Sequence, residues 1–161
     1  MKLIPTAALL LVLAAPAFAA SPVKTLPGDI TLAQAQAVVR SAQAKAEAIK
    51  VPMNIAVVDA GGNLKAFARM DDAFLGSIDI AERKARTARY FNMSTRALGQ
   101  AAQPGQPLYG IEATNGGLVI FAGGVLLLDK KGTIVGSVGV SGGSVDEDED
   151  VANAGAAALL R

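Results

Sequence analysis

Two apolar runs in this chain each break at an Asp-x-x-Gly tetrad. One is Val57-Val58-Asp59-Ala60-Gly61-Gly62 and the other Leu127-Leu128-Asp129-Lys130-Lys131-Gly132. An Asp side chain accepts from backbone N–H groups two residues on, and Gly takes positive φ at little steric cost. Each tetrad therefore reads as a hairpin turn between neighbouring strands. A chain whose strands are joined this way must lay down a mainly antiparallel sheet. We read the likeness of the two segments as shared turn chemistry, not as an internal repeat.

Helical patterns surround these hairpins. Thr31 opens the first, with Gln34 completing a capping box. Ala35, Val38, Val39, Ala42, Ala46 and Ile49 share its apolar face, and Pro52 stops it near Lys50. The strand pair Ile55–Val58 and Leu64–Ala68 follows. Ser77 is expected to cap a second helix through Phe91, with Ile78, Ala81, Ala85 and Ala88 on one side. A short helix starts at Ser94 or Thr95, and Gly99 to Gly117 reads as a long loop. Three strands are expected next, at Leu118–Phe121, Val125–Leu128 and Thr133–Val140. Gly136 and Gly139 weaken the last unless another backbone packs close. Ser144 and Glu147 then cap a final helix. The expectation is a single α/β (α+β) domain over residues 31–161: a mainly antiparallel five-stranded sheet flanked by helices.

The first residues read as an address. Lys2 precedes the apolar run Ala7–Ala15, Pro16 breaks it, and Ala17-Phe18-Ala19 is a small-x-small cleavage pattern. Residues 1–19 are expected to be a secretory signal peptide and residues 20–30 an exposed lead-in. Cleavage would leave an exported chain, periplasmic or extracellular, with no membrane anchor. It would also remove Lys2 and balance the remaining charges. With 15 Lys+Arg against 14 Asp+Glu in the whole chain, nucleic-acid binding is not expected.

Composition narrows the chemistry further. The chain has no Cys and no His. Disulfides, thiolate nucleophiles, Ser-His-Asp triads and His-ligated haem are thereby excluded. The acidic run Asp146–Asp150 reads first as carboxylates complementing a helix N-terminus. A hard-cation site is the alternative. An EF-hand fails, because Val151 stands where Gly is required and Ala157 where Glu is required. The loop Gly139-Val140-Ser141-Gly142-Gly143 reads as a strand-to-helix turn, since the carboxylates after it would repel phosphate. Arg69-Met70-Asp71-Asp72 ends a strand where a cleft can form. Lys84 and Thr87 lie three apart on one helix face. Ser141 and Asp148 lack the His that would link them into a nucleophilic pair.

The string Ile55–Leu64, then Arg69-Met70-Asp71, Lys84-Ala85-Arg86-Thr87-Ala88, Gly123-Gly124 and Gly136–Gly143 resembles the GlcG/HbpS family of small proteins. Phe91, Thr95, Asp148, Val151-Ala152 and Ala154-Gly155 extend the likeness from about Thr31 to the C-terminus. The family includes the C-terminal domain of PduO-type proteins. The resemblance implies a profilin-like fold and homo-oligomers. It also implies haem or tetrapyrrole binding, and service as an accessory to a redox-sensing partner. It carries over Asp59, Arg69, Met70, Asp71, Lys84, Thr87, Ser141 and Asp148 as ligand-pocket candidates. Leu126 stands where a Pro is common in the family. The absent His means any bound iron is held by Thr, Tyr, Met or Lys, or the haem through its propionates by Arg69 and Lys84. The function expected is a non-catalytic haem-binding accessory. The alternatives are a module for another small anionic metabolite, with Arg69 and Lys84 as counter-charges, and an enzyme using Asp71 and Asp148 as acid and base.

Overall fold

The computed structural model describes residues 28–160. The expected signal peptide and most of the lead-in lie outside them. Helix α1 (Leu32–Ile49) starts on the expected capping box: the Thr31 hydroxyl accepts from Gln34 N–H while the Gln34 side chain reaches back to Thr31. Lys50 ends it in the left-handed conformation. Strands β1 (Asn54–Asp59) and β2 (Leu64–Arg69) form the first hairpin. Helix α2 (Gly76–Phe91) and the short α3 (Thr95–Ala101) follow. After a single 3-10 turn at Ile111–Ala113 come β3 (Gly124–Leu128), β4 (Ile134–Ser141) and α4 (Val145–Ala156).

Among the described residues the sheet has four strands in the order β2-β1-β4-β3, every pairing antiparallel. The expected fifth strand, Leu118–Phe121, is not one. The Leu118 N–H donates to Glu112 O at 2.9 Å and the Val119 N–H to the Thr87 hydroxyl at 3.1 Å. Those donors are therefore taken by a loop and a helix before any strand can pair with them. Ser77 is a second correction. It sits inside α2 and is buried, and the helix begins after Leu75 with no side-chain cap.

Strand alternation gives the sheet two faces. Ile55, Val57, Val138 and Val140 join Val38, Ala42 and Val151 in the main core beneath α1 and α4. Ala56 and Val58 face α2 and meet Ala81 and Ala85. The α2 face is built of small residues, so the helix lies close on the sheet. A Cβ added at Gly139 would overlap the Ala81 carbonyl oxygen and the Ala85 nitrogen. The glycine expected to weaken β4 is what admits the helix backbone.

Helix α4 also starts on its expected box, with Ser144 capping and Glu147 reaching back to the Ser144 N–H at 2.8 Å. Those bonds hold the Glu147 carboxyl below the usual carboxylate range. Ser144→Ala should cost about 1 kcal/mol. In the same variant the Glu147 titration, followed by NMR, should move up toward its ordinary value. An unmoved titration would show that the hydroxyl half of the box contributes nothing, since the backbone N–H of residue 144 still reaches Glu147.

Candidate functional site

The centre of the domain holds a sealed ion pair. Lys84, on the sheet-facing side of α2, is fully buried and cannot reach water past the close α2–β4 contact. Its Nζ runs instead toward α4. It donates to Asp148 Oδ2 at 2.6 Å and to the Val140 carbonyl at 2.8 Å. The Ser144 cap fixes where α4 begins and so brings Asp148 inward on its first turn. The other Asp148 oxygen accepts the Gly143 N–H at 2.9 Å. Burial pushes the Lys84 amine down and the Asp148 carboxyl up from their ordinary values, and each partner opposes the shift of the other. The Phe121 ring closes the remaining side, 4.9 Å from Nζ to its centroid. Gly123 has φ +117° and leaves no room for a Cβ, which would lie 2.7 Å from Nζ.

The acidic run is thereby divided among separate tasks. Glu147 caps, Asp148 meets Lys84, and Asp146 and Glu149 both bind Arg96, at 2.6 and 2.5 Å. Among the described residues no cluster of three or more carboxylates is placed to hold a cation.

The other candidates disperse. Asp59 is a turn residue: its Oδ1 accepts from the Gly61 and Asn63 N–H groups at 2.8 and 2.9 Å. Thr87 is buried and receives the Val119 N–H. Arg69 donates to the Ala73 carbonyl, and the Met70 sulfur accepts the Met53 N–H. Arg69, Met70, Asp71 and Asp72 line an open hollow. Ser141 and Arg69 both pair with Asn54 in the sheet register, so the three form one row at its end. Lys84 and Arg69 do not converge. Arg69 holds a loop and Lys84 has no exposed surface.

Sequence reasoning missed Phe121 and Asn54 in this region, and read Gly123 only as part of the Gly123-Gly124 pair. It also missed two concavities. An open groove of about 360 Å³ runs between α1 and β2, walled by Leu32, Val39 and Phe67 with Gln36, Arg40 and Lys65 at its sides. A cleft of about 230 Å³ lies between α2 and the loop before Leu118, lined by Arg83, Arg86, Thr87, Tyr90, Asn115 and Gly116. The four-residue spacing of Arg86 and Tyr90 places them on one face of α2. Nothing in the sequence shows that the Asn115 turn folds over that face.

Residues 30–157 match the family model described as "Haem degrading protein HbpS-like". The chain belongs to the HbpS-like family. One relative, the "Uncharacterized 15.0 kDa protein in dhaT-dhaS intergenic region" of Citrobacter freundii, is 44% identical over 119 residues. That is 74% of this chain and 84% of the relative. A crystal structure of a PduOC:heme complex superposes with TM-score 0.76 at 36% identity, covering 81% of this chain and 95% of that one. A double mutant of Streptomyces reticuli HbpS superposes with TM-score 0.76 at 34% identity, covering 91% and 98%. The HbpS-like alignment thus spans both the buried Lys84–Asp148 pair and the two concavities.

Proposed function

We propose that this protein is an exported, homo-oligomeric haem- or tetrapyrrole-binding accessory protein with no catalysis of its own. One observation carries the reading: 81% of the chain shares the fold of a relative whose structure is a haem complex, at 36% identity. The groove between α1 and β2 suits such a ligand. A haem is an apolar disc with two carboxylates; Leu32, Val39 and Phe67 offer apolar walls and Arg40 and Lys65 offer cations. Lys65 is partly engaged, by Asp29 at 3.2 Å. Arg40 would be the freer counter-charge. The groove's own iron donors are weak, an amide at Gln36 and the paired Lys65 amine, and the chain has no His. The ring and propionates would therefore carry the affinity. When bound, haem supplies a one-electron redox centre, which suits an accessory to a redox-sensing partner.

The two carboxylates of the enzymatic alternative are not brought together among the described residues. Asp148 has an oxygen on Lys84 and the other on Gly143, and Asp71 lies on an open hollow apart from that pair. Haemin titrated into the purified protein should give a saturable Soret change, without the sharp bands of an iron held by two strong axial ligands. Arg40→Gln should weaken binding by roughly tenfold, as expected for loss of one charge-assisted contact. A titration with no saturable change would overturn the proposal.

A further inference from the structure

We propose that the cleft between α2 and the loop ending at Leu118 binds a small organic carboxylate, gripped by the Arg86 guanidinium. This site is separate from the haem groove and does not depend on it. Arg83 builds the cleft. Its Nε is held by Asp79 at 2.7 Å, and its Nη1 donates to the carbonyls of Gly116 and Gly117, clamping the turn against α2. A Cβ at Gly117 would collide with that same Nη1. The clamp fixes the turn and consumes most of the Arg83 donors.

Arg86, three positions and so about one helical turn on from Arg83, is differently placed. Only its Nη2 has a partner among the described residues, Glu82 at 3.1 Å. Nη2 carries two hydrogens and Glu82 takes one, so the other pairs with Nε–H or Nη1–H as a two-donor edge, the pattern that matches a carboxylate bidentately. Opposite it, Asn115 and Gly116 stand consecutively at φ +54° and +72°. Their backbone N–H groups have no acceptor among the described residues. Asn115 and Gly116 are the central residues of a turn closed by the Gly117 N–H on the Thr114 carbonyl at 2.9 Å, which leaves their own N–H groups over as donors. Tyr90 completes the cleft, its ring packed on Gly62 of the β1–β2 turn and its hydroxyl left without a protein partner among the described residues. Arg86, the Asn115-Gly116 turn and Tyr90 line one space of about 230 Å³. That is room for a short acid and too little for a macrocycle.

The test is calorimetry and NMR on the purified protein with acetate, lactate and succinate, and inorganic phosphate as a separate arm. At least one carboxylate should bind saturably and shift the Asn115 and Gly116 amide signals. Arg86→Gln should weaken it at least about tenfold, and Arg86→Lys should fail to restore it, because a point charge lacks the fork. Haemin titration in Arg86→Gln should match the unsubstituted protein, so failure here is distinct from failure of the haem reading. Saturable phosphate binding without carboxylate binding would overturn the ligand class. Unchanged carboxylate affinity in Arg86→Gln, or no saturation by any carboxylate, would overturn the site.

Discussion

Lys84→Met should lower the unfolding free energy by about 3–5 kcal/mol, because it strands the Asp148 carboxylate in a sealed interior. The charge has no route to water: Lys84 is fully buried and Asp148 is 2% exposed. Breaking one partner of a buried pair costs far more than the pair contributes net, since the remaining charge keeps its desolvation penalty. Adding Asp148→Asn to Lys84→Met should therefore recover more than half of the loss. The amide removes the stranded charge and keeps an oxygen for the Gly143 N–H. Denaturant unfolding of the two single variants and the double variant checks this. A single-variant loss under about 1 kcal/mol, or no recovery in the double, would show that the pair is not the buried junction of α2, β4 and α4.

The second large effect concerns the approach of α2 to the sheet. Gly139→Ala should cost at least about 3 kcal/mol, at the upper end of overpacking penalties. The added methyl meets backbone, the Ala81 carbonyl and the Ala85 nitrogen, and backbone cannot rotate away as a side chain can. Either α2 lifts off β4 or the strand bends, and both disturb Lys84, whose Cβ lies 3.0 Å from the same point. Gly132→Ala is the matched control. Its site in the β3–β4 turn has open space and only a positive φ of +80°, so the cost there should be about 1 kcal/mol. Thermal unfolding of the two variants separates packing from backbone strain. Equal losses would contradict the close-approach account.

Part of this architecture is legible in the residues. The two Asp-x-x-Gly turns fix two hairpins, and in each the Asp Oδ1 accepts the expected backbone N–H groups. The Thr31 and Ser144 boxes fix the starts of α1 and α4. These signals are local, made by atoms within four residues of one another. The errors have a common cause as well. Leu118–Phe121 has the composition of a strand, yet its N–H groups go to Thr87 and Glu112. Ser77 is a good cap by type, and α2 begins before it. Competition from a partner elsewhere in the chain decided both.

The candidate site divides along the same line. Lys84 and Asp148 stand out in the sequence one at a time, a lysine in a basic helix and an acid in an acidic run. Their pairing at 2.6 Å spans 64 positions and depends on how closely α2 can lie on β4. The Arg86 fork is equally unreadable, because it becomes a site only when the Asn115 turn, held by Arg83, faces it.

By itself, the sequence determined an antiparallel hairpin sheet with capped helices, and an absence of His that bars the commonest iron ligand. Turn geometry, capping and side-chain inventory are short-range or compositional facts, and a linear reading contains them. Only the tertiary structure decided that the most basic helix hides its lysine. It alone closed Asp148 in with Lys84, and it alone left two concavities with cations at their walls. The burial of the pair follows from the small residues on α2 and the glycine in β4. The close packing they allow determines which charges are buried and which still face water.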